Sequence, residues 1–243
     1  MNRLVFRKLP QLSYPVNEAF NTLSTNVSFL GRDIKKIMIT SSQASEGKSF
    51  TSITLCRKLA ERGKRVVLVD TDLRRSRITT VYGVQFAPGS KKQGLSHYLA
   101  GIAEKEEVLF NTNIPGMDFI PMGHELLNPI PLLSSERFQN LLDGLAEQYD
   151  YVIVDAAPVG VVIDAAEIAK ACDGILLVVS YNQVHRQELI DVKKQLEQTG
   201  CPILGTILNQ VEYEGFANKK YYYKSHYSSY YKAYEKEAEE KKS

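Results

Sequence analysis

Six short runs dominated by Val, Ile and Leu alternate with segments of helical apolar spacing, and this alternation restricts the fold more than any other feature of the chain. The runs occupy 35–41 (KKIMITS), 65–72 (RVVLVDTD), 117–123 (MDFIPMG), 151–157 (YVIVDAA), 174–180 (GILLVVS) and 201–210 (CPILGTILNQ). A strand with one face in water alternates apolar and polar residues, whereas a near-continuous apolar run needs cover on both faces. Helical patterns at about 15–31, 47–62, 94–101, 135–148, 162–172 and 185–199 supply that cover. In the second of them Ile53, Cys56, Leu59 and Ala60 recur at helical spacing and Gly63 supplies a stop. The alternation predicts an α/β fold, a mostly parallel twisted sheet flanked by helices and joined by right-handed crossovers.

A length of 243 residues suits one large domain plus a tail. The composition, 44% hydrophobic and 24% charged, is that of a globular protein. A formal net charge of +2, mixed along the chain, gives no reason to expect a nucleic-acid partner. Cys56, Cys172 and Cys201 form no CxxC pair and are odd in number, so reduced core residues are expected rather than a disulfide framework. The N-terminal apolar run is too short for a signal peptide, and no run of 18 apolar residues occurs, which predicts a cytoplasmic protein. The domain is expected over 1–211. Residues 212–243 hold eight of the 14 tyrosines, seven of them within YYYKSHYSSYYKAY (221–234), and few aliphatic residues; a disordered tail is predicted there.

Between the first buried run and the second helical pattern lies SSQASEGKSF (41–50). Strand, loop ending in Gly-Lys-Ser and helix, in that order, are the context of a phosphate loop of the form G-x-x-x-x-G-K-[ST], here with Ser42 at the first glycine position. Successive backbone N–H groups at a helix N-terminus offer both donors and the positive dipole end to an anion. Ala44, Ser45, Glu46, Gly47, Lys48, Ser49 and Phe50 are therefore candidate nucleotide-binding residues. Gly47 permits close approach of the backbone, Lys48 reaches the β- and γ-phosphates of ATP, and the Ser49 hydroxyl ligates Mg2+. Ser42 is tolerable if its position needs no positive φ. The plainer alternative is a loop that merely contains the tripeptide.

Asp70 and Asp72 end one buried run and Asp155 ends another. Ligands of open parallel sheets bind beyond the carboxyl ends of the strands, so loop and carboxylates converge on one edge. Taken singly, Asp70 or Asp155 could instead cap the following helix.

The phosphate loop, VVLVDTDLRRS and YVIVDAAPVGVVIDA together resemble the Walker A, A′ and B motifs of bacterial tyrosine kinases, in a P-loop NTPase fold, over roughly 14–211. ELLNPIPLLSSERFQNLLDGLAEQYDYVIVD (125–155) is similar to that family's approach to Walker B, and GTILNQ (205–210) to its terminal strand. Partitioning and cell-division ATPases of the same class carry a second lysine early in the loop, where this chain has Gln43; a non-kinase ATPase switch of that type is the alternative, and a non-catalytic nucleotide-dependent regulator a third reading. The resemblance, nearest to cytosolic autokinases of Gram-positive capsular or exopolysaccharide assembly, implies catalytic roles for Lys48, Asp70, Asp72 and Asp155. Asp70 would accept the tyrosine proton. Ser49, Asp72 and Asp155 would hold magnesium, and Asn209 would contact adenine. Arg74 and Arg75 would meet phosphate or acidic partners, or be solvated surface residues.

The tail would then be the phosphoacceptor, through Tyr221, Tyr222, Tyr223, Tyr227, Tyr230, Tyr231 and Tyr234, with an unmodified aromatic interaction segment as the alternative. The resemblance also implies self-association for phosphorylation in trans, a membrane adaptor whose cytoplasmic tail activates the kinase and recruits it to the inner face of the plasma membrane, and a cognate tyrosine phosphatase. A guess at the adaptor surface is 158–169. In the first helical pattern Glu18 aligns with the family's Glu-x-x-Arg-x-x-Arg, but Asn21 and Ser24 replace the arginines that help close a ring of subunits. His97, His124, His185 and His226 have no ligand spacing, and Tyr82, Tyr98, Tyr149, Tyr151 and Tyr181 are expected to pack rather than react.

Overall fold

Period-two alternation inside the buried runs decides which helices cover which face of the sheet. In the computed structural model, which describes residues 2–211, nine strands form one sheet: β1 (Asn2–Phe6), β2 (Lys36–Ser41), β3 (Val66–Asp70), β4 (Val84–Phe86), β5 (Phe110–Asn111), β6 (Met117–Ile120), β7 (Tyr151–Asp155), β8 (Gly174–Ser180) and β9 (Ile203–Asn209). The helices are α1 (Tyr14–Ser28), α2 (Lys48–Glu61), α3 (Ile78–Val81), α4 (Leu95–Leu99), α5 (Lys105–Val108), α6 (Ile130–Leu133), α7 (Glu136–Gln148), α8 (Asp164–Ala169) and α9 (Arg186–Glu197). The predicted tail, 212–243, and its seven candidate acceptor tyrosines lie outside the described residues.

The strand order is β4-β1-β5-β6-β3-β7-β2-β8-β9. From β6 to β9 every pairing is parallel, as the buried runs require. Antiparallel pairs occur only towards the other edge, between β5 and β6 and between β1 and β4. Val67, Val69, Val152, Val154 and Met38 point to one face, against Phe138, Leu141, Leu142 and Leu145 of α7 and Val192 and Leu196 of α9. Their sequence neighbours Val66, Leu68, Ile153, Ile37 and Ile39 point to the other, against Ile53, Leu55, Cys56 and Leu59 of α2 and Val27 of α1. The α7 helix begins where Ser135 accepts the Phe138 amide at 3.3 Å, with Glu136 in the first turn facing the positive dipole end.

Sequence patterning did not pick out β1, β4 or β5, the last two being three and two residues long. Yet β1 contributes Leu4 and Phe6 to the core, and the Phe6 ring lies 5.4 Å from that of Phe119. Cys56 and Cys201 are buried and Cys172 half-buried, all with free thiols. Tyr82, Tyr149 and Tyr151 are core residues and Tyr98 packs against the core, whereas Tyr181 is 39% exposed. Among the described residues no helix is long and apolar enough to cross a membrane.

Phe6→Ala should cost about 3–5 kcal/mol in urea denaturation, the range of a buried phenylalanine truncation. Phe29→Ala, at a side chain 81% exposed at the end of α1, should stay within about 0.5 kcal/mol.

Candidate active site

The order β3-β7-β2 places the end of β7 between the phosphate loop, which follows β2, and the end of β3. Asp155 pairs in register with Asp70 on one side and with Ile39 of β2 on the other. Sheet geometry alone therefore brings Asp70, Asp155 and the loop to one edge. The Lys48 ammonium lies 3.2 Å from Asp72 Oδ2 and 3.8 Å from Asp155 Oδ2. Ser49, next in the loop, donates its hydroxyl to Asp155 Oδ2 at 2.6 Å, and Ser52, one turn further along α2, donates to Oδ1 at 2.8 Å.

The loop takes its curve from two residues with positive φ, Ser45 at 68° and Gly47 at 92°. The positive φ of Gly47 favours glycine, and a Cβ there would stand 2.1 Å from the Asn209 side-chain nitrogen, displacing that side chain from the loop. Ser42 is not among the positive-φ residues, so serine at the first glycine position carries no backbone penalty. Asn209 donates to the Glu46 carbonyl at 2.8 Å and closes the β9 side of the loop.

Neither Asp70 nor Asp155 caps a helix. Asp70 is fully buried, accepts the Ser76 hydroxyl in a short hydrogen bond through Oδ2, and has no hydrogen-bond partner at Oδ1 among the described residues. Asp72 accepts the Arg75 amide at 3.0 Å and turns the chain after β3. Burial first, and the neighbouring Asp155 charge second, push the Asp70 carboxyl well above the usual carboxylate range, against the opposing pull of Ser76 and Lys48. Asp155 is raised as well by burial, which prevails over Lys48 and its two serine donors. For Lys48 burial works to lower the pKa, but the attraction of Asp155, Asp72 and Asp70 outweighs it and the ammonium is held more firmly.

These residues fit a magnesium nucleotide. Three carboxylates facing one ammonium leave excess negative charge when ionised, which a divalent cation would neutralise. Among the described residues no group of three or more His, Cys, Asp or Glu forms a metal cage. One hydroxyl and two carboxylates, Ser49, Asp72 and Asp155, would instead offer a partial oxygen set, the kind with which magnesium keeps several waters and substrate phosphate oxygens.

Other expectations resolve differently. Arg74 is held by Asp164, Nε to Oδ2 at 2.6 Å and an Nη to Oδ1 at 3.0 Å, and donates to the Leu127 carbonyl at 2.7 Å, while Arg75 is exposed. Glu18 accepts Asn21 at 2.9 Å within its own helix. The rings of His97 and His124 lie 4.6 Å apart, tilted 42° to each other. Sequence reasoning passed over Ser52, Ser76 and Asp164. Ser76 meets Asp70 six positions back, across the turn after β3, and nothing in the chain announces Asp164, 90 positions from Arg74.

Fold and site together define a P-loop nucleotide-binding protein. The chain matches the AAA domain family over residues 34–201. The tyrosine-protein kinase CpsD of Streptococcus agalactiae serotype III (strain NEM316) is 39% identical over 194 residues, 80% of this chain and 82% of that protein. The kinase domain of the Escherichia coli tyrosine kinase ETK superposes with a TM-score of 0.75 at 33% identity, covering 81% of this chain and 76% of that one. The septum site-determining protein MinD from Pyrococcus horikoshii OT3, complexed with Mg-ADP, shares the fold at a TM-score of 0.59 and 22% identity over 72% and 70% of the two chains. This chain belongs to the bacterial tyrosine-protein kinases.

Because its folded pKa lies above the ordinary 3.8, Asp70 contributes stability that is present below that value and lost as pH rises through the raised one. Asp70→Asn should therefore stabilise the nucleotide-free protein at about pH 7. The gain should shrink as pH falls towards the ordinary carboxylate range. Urea titrations at neutral and acidic pH read both; a variant less stable than wild type at neutral pH contradicts the assignment.

Proposed function

We propose that this chain is an ATP-dependent protein-tyrosine autokinase that phosphorylates its own C-terminal tyrosine cluster, with magnesium as cofactor. The observation that carries this reading is the meeting of Lys48, Ser49, Asp70, Asp72 and Asp155 at one sheet edge. Magnesium, when bound, supplies charge neutralisation at the phosphate oxygens. Lys48 and the loop amides bind and orient the polyphosphate, and Asn209 is assigned to the adenine side. Transfer breaks the bond between the γ-phosphorus and its bridging oxygen and forms a bond to the phenolic oxygen, with ADP leaving. The phenol's proton passes to Asp70, whose Oδ1 has no hydrogen-bond partner among the described residues. A phenol titrates near pH 10 and an ordinary carboxylate near 4. Burial narrows that gap from the Asp70 side, and the loose transition state of phosphoryl transfer tolerates late deprotonation.

The acceptors are assigned to Tyr221, Tyr222, Tyr223, Tyr227, Tyr230, Tyr231 and Tyr234 of a neighbouring copy. Each phosphate adds roughly −1.5 to −2 charges, so the fully modified cluster would carry on the order of −10. The output is assigned to capsular or exopolysaccharide polymerisation and export. A cytoplasmic location fits, with recruitment to the plasma membrane by an adaptor whose cytoplasmic tail activates the kinase, and reset by a cognate tyrosine phosphatase. Within 158–169, the stretch assigned to the adaptor, Val159, Ala165, Ile168 and Ala169 are buried, which leaves Val161 and Ile163, 64% and 56% exposed, as its large apolar residues open to a partner.

With labelled ATP and magnesium, Lys48→Met should lose both ADP binding and tyrosine labelling. Asp70→Asn should keep ADP binding and lose at least about 100-fold in labelling rate. A chain lacking 212–243 should take up no label itself but should label the tail of full-length Lys48→Met. Wild-type labelling by Asp70→Asn would refute the proton acceptor, and label retained in the shortened chain would refute the tail as recipient.

A further inference from the structure

The serine that replaces the first glycine of the phosphate loop has a specific partner. Ser42, fully buried, donates its hydroxyl to Oε2 of Glu46 at 2.8 Å. The same oxygen accepts the Gln43 amide at 2.7 Å, and Oε1 accepts the Ser180 amide at the end of β8 at 2.9 Å. The Glu46 residue is 3% exposed. A carboxylate this deep in a protein persists only when donors satisfy it, and these three, two of them backbone amides, form charge-assisted bonds.

We infer that Glu46 is a positioning residue for the nucleotide: its carboxylate draws the first half of the phosphate loop onto β8 and holds the loop in its receiving curve. The inference rests on the nucleotide reading of this site. Glu46 touches no phosphate through its side chain, which faces away into the protein; it acts through the amides it fixes. Its position in the loop makes the role specific. It lies between Ser45 and Gly47, the two residues with positive φ, and serine adopts that conformation only under constraint from its surroundings. Gly160 adds a wall, since a Cβ there would stand 2.3 Å from the Ser42 carbonyl oxygen, so the start of the loop has no room to swing outward on that side. In a loop opening with glycine no hydroxyl could reach Glu46. Here a side-chain clasp supplies the order.

Loosening a preorganised site lowers affinity by the fraction of molecules left competent. Full-length protein should be titrated with ADP and magnesium by calorimetry, and backbone amide exchange of Gln43 and Ser180 followed without nucleotide. Glu46→Ala should raise the dissociation constant at least about tenfold and Ser42→Ala about threefold, in line with the loss of three donors or one. Ser42→Ala added to Glu46→Ala should weaken binding no further, because the hydroxyl acts only through the carboxylate. Both amides should exchange at least about tenfold faster in Glu46→Ala. Glu46→Gln, which keeps acceptor geometry towards Ser42 and Gln43 but turns a donor on Ser180, should fall between wild type and Glu46→Ala. Should Glu46→Ala fail to fold, Ser42→Ala and Glu46→Gln decide, and wild-type affinity in both overturns the inference. A Ser42 effect that persists beside Glu46→Ala also overturns it. Wild-type protein that binds no ADP would overturn the nucleotide reading together with this inference; variants that match a wild type that does bind would overturn this inference alone.

Discussion

Three neighbouring strands, β3, β7 and β2, bring their carboxyl ends to one sheet edge, β3 and β7 in register, and most of the chemistry follows from that pairing. Two carboxylates, Asp70 and Asp155, are placed opposite each other by backbone hydrogen bonds and have no freedom to separate. The fold accepts the electrostatic cost because the strands on which they stand are covered by helices on both faces. A single ammonium, Lys48, relieves part of it. The site is thus a place where a stable sheet holds an unstable charge distribution, a balance typical of sites built to receive a ligand.

Much of this was legible because it depends on local pattern. The apolar runs that became β2, β3, β6, β7 and β8 are buried almost throughout, β9 at the sheet edge is only partly covered, and parallel pairing gave their carboxyl ends a common edge. Lys48 and Ser49 follow from loop spacing, and the three aspartates from their positions at strand ends. What escaped depends on partners distant in the chain. β5 is two residues long and takes its register from β1 and β6, so no periodicity could mark it. Arg74 had two readings until Asp164 arrived at the start of α8. Glu46 looked like one more loop residue contributing an amide, and only Ser180, 134 positions away, shows its side chain to be structural.

The departures from the family pattern are compensated within the chain itself. Where related ATPases carry a second loop lysine, Gln43 donates its amide to both carboxylate oxygens of Glu188 on α9, at 2.8 Å each. A lysine there would bring a cation to the phosphates; glutamine brings only a tether. Asn21, in place of an arginine, likewise turns back to Glu18 of its own helix. At both positions an uncharged amide makes a contact inside its own chain.

The consequence falls on Lys48. It already serves Asp72 and Asp155, and the ammonium cannot stay with them while also facing a polyphosphate. Moving it towards the phosphates exposes the aspartates to one another in a buried setting, where Coulomb repulsion is poorly screened. Had the loop a second lysine, part of that charge would be met by protein. With Gln43 in that place it is not, and the same displacement that would favour the nucleotide would raise the affinity of Asp72, Asp155 and Ser49 for a divalent cation. On the proposed reading, nucleotide and metal would be coupled through one side chain, each lowering the cost of binding the other.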